Sequence, residues 1–349
     1  MNILLTGSTG FVGKQLTLKL LQKGHHVYAL VRNQRKADGL KEVVPFGFRE
    51  QLHIIDGNIA NEKAGLSQGE LEALKGQIDA VYHIAAYLSF DDEEKDRLYD
   101  VNVEGTRHIL DLAKELEVAK FFHVSTAYTL GDQQEASEEL HSLDRPFLNY
   151  YEKTKCEAEH LVFRYKEDFD VSIFRPSIII GDSETGEAES TFALYGIIRS
   201  FNLMKRRMER QQSAVKQKVK FVCLEDTAQN IIPVDHVVKG LVAGLEHAET
   251  ETIYHLTNDH PPTNAEVFRL LKEELDFHDV DLVSPADVHE LSEQEMKFNE
   301  PLSVFQEYLK KTIHFDDTNA KELFERSGVA PVHVTEDVLR TVISNKSQG

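Results

Sequence analysis

The stretch Thr6–Gly13, with glycine at positions 7, 10 and 13, constrains the fold more than any other part of the sequence. It follows the apolar run Ile3–Leu5, which has the length of a buried strand, and it opens a helical pattern in which Val12, Leu16 and Leu20 recur every four residues. Glycine allows a sharp turn and a close approach of backbone to a diphosphate, and the N–H groups at a helix start attract that anion. The stretch therefore predicts a dinucleotide site made of Gly7, Thr9, Gly10, Phe11, Val12 and Gly13.

Two related glycine motifs differ from this one in spacing. Dinucleotide folds more often carry G-x-G-x-x-G, whereas this chain has G-x-x-G-x-x-G. A mononucleotide P-loop is excluded, because Ser8 stands where its first glycine belongs and Gln15 replaces the hydroxyl side chain that holds Mg²⁺. A plain glycine turn without a ligand is the alternative, and the strand before it and the helix after it favour nucleotide binding.

Length and composition exclude several classes of protein. With 349 residues, the chain is expected to form one large α/β unit with an added subdomain, or two domains. A formal net charge of −20 argues against nucleic acid and anionic membranes as partners. Two cysteines and scattered histidines indicate neither a disulfide framework nor a metal site. No apolar run has the length of a membrane span, and the first strand leaves no room for a signal peptide, so we expect a cytoplasmic protein.

Apolar runs that alternate with helical stretches predict a parallel, doubly wound Rossmann sheet of about seven strands. The predicted strands are 3–5, 26–31, 52–56, 79–86, 120–125, 171–180 (with a proline break) and 252–256, with a further strand-like segment at 230–235. Ligands bind at the carboxyl ends of such strands. Four polar or small segments fall at predicted ends, namely Arg32, Asp56, Ala85-Ala86 and Ser125-Thr126.

The residue after the second strand indicates which dinucleotide binds. An acid there would bind the 2′-hydroxyl of NAD, whereas an arginine accepts the 2′-phosphate of NADP. Position 32 is arginine, followed by Arg35 and Lys36, so we expect NADP in preference to NAD. A solvated basic turn is the alternative. Ala85 and Ala86 would let a cofactor lie close against the backbone, or would simply pack beneath a helix.

A tyrosine and a lysine stand four residues apart in the predicted helix 149–159. At this spacing Tyr151 and Lys155 project from one face, and the ammonium is expected to lower the phenol's ordinary pKa of about 10. Such a tyrosine can donate a proton to a carbonyl oxygen whose carbon receives hydride, and a hydroxyl such as that of Thr126 can hold the same oxygen. On its own, a Tyr–Lys pair of this kind is common on helix surfaces.

Residues 191–220 are predicted to form a long helix, and Arg199 to Lys220 contains eight basic residues and one acid. A charge run is usually a solvated helix face. Against the acidic background, Lys205, Arg206 and Arg207 are alternatively a docking patch for a phosphate-bearing substrate or an acidic carrier protein. Residues 261–349 are predicted to be helical and acidic, with loops at prolines.

Five signatures together resemble the extended short-chain dehydrogenases/reductases, over nearly the whole chain. They are Thr6-Gly7-x-x-Gly10-x-x-Gly13, Asn102-Val103-x-Gly105-Thr106, Ser125-Thr126-Ala127, Tyr151-x-x-x-Lys155 and Arg175-Pro176. Within that superfamily the chain is most similar to thioester reductases, with the related fatty acyl-CoA reductases and male-sterility proteins. The stretches that carry this closer likeness are 65–67, 82–86, 123–128, 175–186 and 233–235.

The resemblance implies a catalytic group of Thr126, Tyr151 and Lys155, in which Tyr151 donates the proton and Lys155 binds the nicotinamide ribose and lowers the tyrosine pKa. It places Pro176 and Ser177 against the nicotinamide. Thioester reductases usually carry Gly-Asp and an apolar residue after the third strand, where the Asp holds adenine. Here the stretch is Gly57-Asn58-Ile59, so Asn58 and Ile59 are expected to contact adenine, with an amide in place of the carboxylate.

Together, these features predict an NADPH-dependent reductase of an acyl thioester or related carbonyl. We expect residues 1–181 and 230–257 to form an NADP-binding Rossmann domain, and residues 182–229 and 258–349 to form a smaller, mostly helical substrate-binding lobe; a dimer is possible. One alternative is a nucleotide-sugar epimerase or dehydratase, or a hydroxysteroid-type dehydrogenase, although Arg32 counts against a tightly bound NAD. Another is a non-catalytic NADP sensor, which would usually lack the tyrosine or the lysine.

Overall fold

The computed structural model describes residues 1–189, 194–210, 218–300 and 303–347. The strands are β1 (Asn2–Thr6), β2 (His26–Val31), β3 (Leu52–Asp56), β4 (Ala80–His83), β5 (Lys120–Val124), β6 (Glu135–Ala136), β7 (Asp170–Pro176), β8 (Ile178–Ile180), β9 (Val219–Val222), β10 (Ile231–Pro233), β11 (Thr252–Leu256), β12 (Val280–Val283) and β13 (His314–Phe315). The α-helices are α1 (Phe11–Gln22), α2 (Gln34–Val43), α3 (Gln68–Leu74), α4 (Lys95–Tyr99), α5 (Gly105–Glu115), α6 (Tyr150–Phe163), α7 (Leu194–Arg210), α8 (Val234–His247), α9 (Asn264–Glu274), α10 (Glu293–Asn299), α11 (Ser303–Leu309), α12 (Thr318–Ser327) and α13 (Glu336–Ser347).

The described residues divide into two compact units. Unit 1 comprises Met1–Ser177, Asp235–Thr257 and Phe315–Pro331, and unit 2 comprises Ile178–Val234, Asn258–His314 and Val332–Gly349. Along the described residues, none of the helices combines the length and the apolar character that a crossing of a bilayer requires.

Unit 1 contains a seven-stranded sheet in the order β11-β7-β5-β4-β1-β2-β3, and every pairing in it is parallel. The predicted doubly wound Rossmann sheet is therefore confirmed. Strands β1, β5 and β7 are almost entirely buried, as expected for a parallel sheet that is covered on both faces. Leu4, Val81 and Phe121 from three strands share one core with Leu110 and Leu161 from helices. Their carboxyl ends meet at one edge, where β1 ends at Thr6.

Two predicted strands end earlier than expected. The strand predicted for 79–86 ends at His83, so Ala85 and Ala86 belong to the segment after β4. The strand predicted for 171–180 breaks at Ser177, because β8 pairs with β10 and not with the seven-stranded sheet. An apolar run does not indicate which partner each of its segments will pair with.

Unit 2 is mostly helical, as predicted, but it also includes short strands. It contains two small parallel sheets, β8 with β10 and β9 with β12. Strand β9 overlaps the last two residues of the helix predicted for 191–220. Helix α7 lies within that prediction, and 191–193 and 211–217 lie outside the described residues. Phe201 on α7 packs against Phe221 of β9 and Phe268 of α9, with ring centroids 5.6 Å apart in both pairs, so one aromatic core holds the strand and the helices.

The boundaries of the units differ from the predicted domains in two respects. Segments 178–181 and 230–234 belong to unit 2, since the pairing of β8 with β10 removes both from the large sheet. Segment 315–331 belongs to unit 1, because Asn319 on α12 donates a hydrogen bond to the Ile253 carbonyl of β11 (3.0 Å). The buried carboxylate of Glu138 also accepts from the backbone N–H groups of Asn319 and Ala320, which caps α12 from within unit 1.

Candidate active site

The glycine turn closes tightly between β1 and α1. Gly7 has a left-handed backbone (φ 74°), and its carbonyl accepts a hydrogen bond from the Gly10 N–H (2.9 Å). A Cβ on Gly7 would lie 2.7 Å from the Ala85 nitrogen, and one on Gly13 would lie 2.0 Å from the Gly7 oxygen, so neither position accommodates a side chain. Helix α1 begins at Phe11 without a side-chain cap, so its first N–H groups have no intrahelical acceptor and are available to an anion.

Orphaned hydroxyl groups provide an independent test of whether a dinucleotide fits this edge. Ser8, Ser125 and Ser177, which follow β1, β5 and β7, have buried Oγ atoms that find no hydrogen-bond partner among the described residues. Buried hydroxyls are normally paired, so these three favour a polar ligand along the edge. Of the other turn residues, Thr9 is half-buried and Val12 is buried on the inner face of α1. The edge therefore fits an NAD(P) cofactor.

The end of β2 presents two neighbouring cations. Arg32 follows the strand directly, and its side chain is exposed, as are those of Arg35 and Lys36. Partial burial, and then the charge of Arg32, lowers the pKa of Lys36, so the two cations lie close together. Asn33 caps α2 by accepting from the Lys36 N–H, which fixes Lys36 one turn beyond Arg32. No carboxylate pairs with Arg32 among the described residues.

The segment after β3 is folded on itself. The Oδ1 of Asn58 accepts from the Ala60 N–H (3.1 Å), and the half-buried side chain keeps its amide nitrogen as a donor. Ile59 is buried against α5, where a Cβ on Gly105 would lie 3.2 Å from its Cδ1. Ile59 thus contributes to the core of unit 1 as well as being a predicted adenine contact.

Ala85 and Ala86 lie beside the glycine turn. The Ala85 N–H donates to Thr6 Oγ1 (3.2 Å), and Ala85 is the closest neighbour of Gly7. Ala86 is exposed. Both positions thus place only a methyl group beside the turn, and their contact with a cofactor remains a prediction.

Helix α6 carries the predicted proton donor and its lysine. Asn149 caps the helix by accepting from the Glu152 N–H (2.9 Å), so Tyr151 lies in the first turn and Lys155 in the next. The Tyr151 side chain is partly exposed, and its ring meets that of Phe90 edge-on, with centroids 6.3 Å apart. Among the described residues, none forms a hydrogen bond with the Tyr151 hydroxyl. The phenol is therefore available to a substrate.

The ends of β5 and β7 supply the remaining predicted residues. Thr126 is nearly buried two residues beyond β5, and its Oγ1 accepts from the Tyr128 N–H (3.3 Å). The Ala127 N–H donates to the carbonyl of Pro176 (2.9 Å), so the segment after β5 follows the end of β7. The Ser177 N–H in turn bonds to β11. Thr126, Pro176 and Ser177 thus lie along one sheet edge.

The expected effect of Lys155 on the tyrosine is not found. Burial, with a smaller contribution from the Glu152 charge, raises the pKa of Tyr151 above its ordinary value. The Lys155 ammonium instead donates to the Val124 carbonyl at 2.8 Å and lies 3.3 Å from His123 Nε2. Burial lowers the pKa of Lys155 to about 8. The predicted net lowering of the Tyr151 pKa was therefore wrong, because desolvation by burial is the largest contribution to the shift.

A buried hydrogen-bond network connects the glycine turn to α6, and it was missed in the sequence. Its members are Thr6, His83, Thr106, Asn102 and Thr154. Thr6 bonds to His83 Nδ1 (2.8 Å), His83 Nε2 to Thr106 (3.0 Å), Thr106 to the Asn102 carbonyl (2.6 Å), and Asn102 to Thr154 (3.1 Å). Thr154 then donates to the Tyr151 carbonyl (3.0 Å). One sign of this network was present in the sequence: Thr6 and His83 occupy paired positions at the ends of β1 and β4.

The predicted docking patch in unit 2 is smaller than expected. Lys205 donates to the Leu275 carbonyl (2.8 Å), and Lys218 and Lys220 pair with carboxylates at 2.9 and 3.0 Å. These three lysines form hydrogen bonds or ion pairs within unit 2, although the Lys218 side chain is exposed. The cations of α7 that remain exposed and unpaired among the described residues are Arg199, Arg206, Arg207 and Arg210.

The sheet order, the glycine turn and the Tyr–Lys pair on α6 together define an NAD(P)-binding protein of the extended short-chain dehydrogenase/reductase class. The profile of the family described as male sterility protein matches residues 5–241, and the chain belongs to this family. Its likeness to thioester reductases and fatty acyl-CoA reductases is thereby confirmed.

Individual relatives agree with this assignment. The chain is 28% identical to the fatty acyl-CoA reductase wat of Drosophila melanogaster over 309 residues, which cover 74% of this chain and 57% of that protein. It spans about half the length of the curated relatives it matches. Among solved structures, the terminal R domain from the myxalamid PKS-NRPS biosynthetic pathway superposes with a TM-score of 0.80 at 23% identity, covering 98% of this chain and 89% of that one. UDP-glucuronic acid 4-epimerase from Bacillus cereus, in complex with NAD, gives 0.71 at 18% identity, covering 100% and 97%.

Proposed function

We propose that the chain is an NADPH-dependent reductase that delivers hydride to the acyl carbon of a thioester or of a related carbonyl compound. One observation carries the proposal. A single polar network in unit 1 connects the glycine turn to the backbone of Tyr151, a partly exposed tyrosine on α6. The buried Lys155 follows one turn later on the same helix. Thioester chemistry rests on the family and on relatives that are named as acyl-CoA reductases.

Each side chain of the proposed catalytic group has a separate role in the reaction. The nicotinamide would supply the hydride when bound. Tyr151, whose raised pKa keeps its phenol protonated at neutral pH, would donate the proton to the oxygen on the reduced carbon. Thr126 would hold the same oxygen by a hydrogen bond, and the charge of Lys155 would stabilise the phenolate that remains. With a thioester, this gives a hemithioacetal, which releases its thiol and leaves an aldehyde.

The decisive experiment follows NADPH oxidation against a panel of acyl-CoAs, acylated carrier proteins, aldehydes, ketones and nucleotide sugars. We expect thioesters to oxidise NADPH and to release one free thiol for each aldehyde formed. Turnover of nucleotide sugars without net NADPH consumption would instead support the epimerase alternative. NADPH binding without turnover of any member of the panel would support a sensor.

The exposed arginines of α7 are the proposed contact for the phosphates of CoA or for an acidic carrier. In the same panel, the double variant Arg206→Glu and Arg207→Glu should raise KM for the CoA or carrier thioester about threefold to tenfold, since each exposed ion pair contributes little. KM for free aldehydes should not change. Lys41→Glu, which reverses another exposed cation on α2, serves as the control. An equal rise with the control variant would refute the patch.

The choice of NADPH rests on the two cations after β2. Replacing Arg32 by alanine should raise the Kd of NADPH about 10- to 100-fold, because a charge-assisted hydrogen bond to the 2′-phosphate is lost. The Kd of NADH, which lacks that phosphate, should change little. The chain has no tryptophan, so the fluorescence of the reduced nicotinamide reports binding without interference. Lys41→Ala is the matched control, and a preference of the unaltered protein for NADH would contradict the assignment.

A further inference from the structure

Lys155 is buried, and its hydrogen-bond partners in the described part of the chain include no carboxylate. Strand β5 offers its ammonium two acceptors, the Val124 carbonyl at 2.8 Å and Nε2 of His123 at 3.3 Å. Glu159, one turn further along α6, pairs with Arg175 at 2.6 Å, and both of these side chains are fully buried. An ammonium removed from water requires acceptors for its three N–H groups. The strand end therefore replaces the water that Lys155 has lost.

The imidazole of His123 acts as a neutral acceptor. Burial, and then the charge of Lys155, lowers the pKa of His123 well below its ordinary value. Because Nε2 faces an N–H donor, the ring proton lies on Nδ1. His83, with its ring centroid 5.5 Å away, is also neutral, since burial lowers its pKa to about 3. Both rings near the ammonium are thus neutral, and His123 is the one that contacts it.

The Nδ1 atom of His123 has no hydrogen-bond partner among the described residues. An orphaned buried donor is unfavourable, and an apolar side chain of similar size would avoid it. The neighbouring His83 has partners on both ring nitrogens, in Thr6 and Thr106. The polar network thus accounts for a buried histidine at position 83. The hydrogen bond to Lys155 is what accounts for one at position 123.

We propose that His123 is a positioning residue for the catalytic group. Its Nε2 and the Val124 carbonyl hold the Lys155 ammonium in place, which leaves one N–H for the nicotinamide ribose or the Tyr151 phenol. A carboxylate in place of the imidazole would also hold the lysine, but it would cancel the charge that stabilises the phenolate. This inference rests on the role proposed above for Lys155.

Two polar substitutions test whether His123 positions Lys155 or only fills space in the core. In His123→Gln, the side-chain carbonyl can occupy the position of Nε2 and keep an acceptor for Lys155. In His123→Asn, the shorter side chain reaches only the position of Nδ1. We expect His123→Asn to lower kcat/KM and weaken NADPH binding about 10- to 100-fold, the effect of losing a hydrogen bond to a charged group. His123→Gln should remain within about threefold of the unaltered protein.

The outcomes distinguish this inference from the proposed function. Equal losses in the two variants, with equal falls in melting temperature, would show that His123 serves packing alone and would overturn the proposal. NADPH affinity, measured by nicotinamide fluorescence, decides the point even if no substrate in the panel is reduced. If neither variant folds, nitrogen NMR of the histidine-labelled, unaltered protein decides it: we expect a neutral ring protonated on Nδ1, and a ring protonated on Nε2 would refute the inference.

Discussion

Replacing Tyr151 with phenylalanine should lower kcat about 100- to 10,000-fold, because the proton donor to the reduced carbonyl oxygen is lost. NADPH affinity should change little. Burial raises the pKa of this phenol, so it carries its proton throughout the neutral range. The measurement is steady-state NADPH oxidation with the best substrate of the panel, together with the Kd of NADPH.

The preceding residue offers a close control for this substitution. Tyr150 lies on the same helix, is 37% exposed and has no proposed role. The variant Tyr150→Phe removes the same hydroxyl group from a neighbouring position and should keep full activity. If Tyr151→Phe retained normal kcat, or if both variants lost activity to the same extent, the catalytic assignment of Tyr151 would be wrong.

Replacing Gly13 with alanine should abolish measurable NADPH binding. The added Cβ would lie 2.0 Å from the Gly7 carbonyl oxygen, and because that atom is backbone, the whole turn must move to make room. Overpacking of this kind usually costs about 1–3 kcal/mol of stability, and here it also displaces the N–H groups at the start of α1. Thermal unfolding with and without NADPH measures both effects, since a ligand at 100 times its Kd stabilises the folded state by about 2.7 kcal/mol.

Gly39→Ala is the matched control for this variant. Gly39 lies within α2, and a Cβ there would meet no atom within 4 Å. Alanine is the better helix former by about 1 kcal/mol, so this variant should unfold at a slightly higher temperature and keep its response to NADPH. A Gly13→Ala protein that NADPH still stabilises by the normal amount would contradict the proposed path of the diphosphate.

The sequence was most informative where structure is local. Strands 26–31, 52–56 and 252–256 were predicted with the observed limits, because each is a short apolar run between turns. The division of 171–180 between two sheets was not predictable, since it depends on the distant segment Ile231–Pro233. Strand β9 was not predicted for the same reason, because its partner β12 lies some sixty residues further along the chain.

The same distinction applies to the candidate site. The glycine turn, Arg32 and the Tyr–Lys spacing are local patterns, and the structure places them at the expected strand and helix ends. The contacts of Lys155 with β5 and the raised pKa of Tyr151 arise from burial, which helical spacing does not report. The likeness to known reductases indicated which residues matter, but it did not indicate that a histidine would hold the lysine.

The alternation of segments between the two units has a consequence for synthesis of the chain. The backbone passes from one unit to the other five times, and the last segment of unit 1 begins at Phe315. The partners of α12 on Glu138 and β11 therefore remain without it until residues 178–234 and 258–314 of unit 2 have left the ribosome. We expect the nucleotide-binding unit to complete its folding only after most of unit 2 has been made, so a ribosome stalled before residue 315 should hold a chain that does not yet retain NADPH.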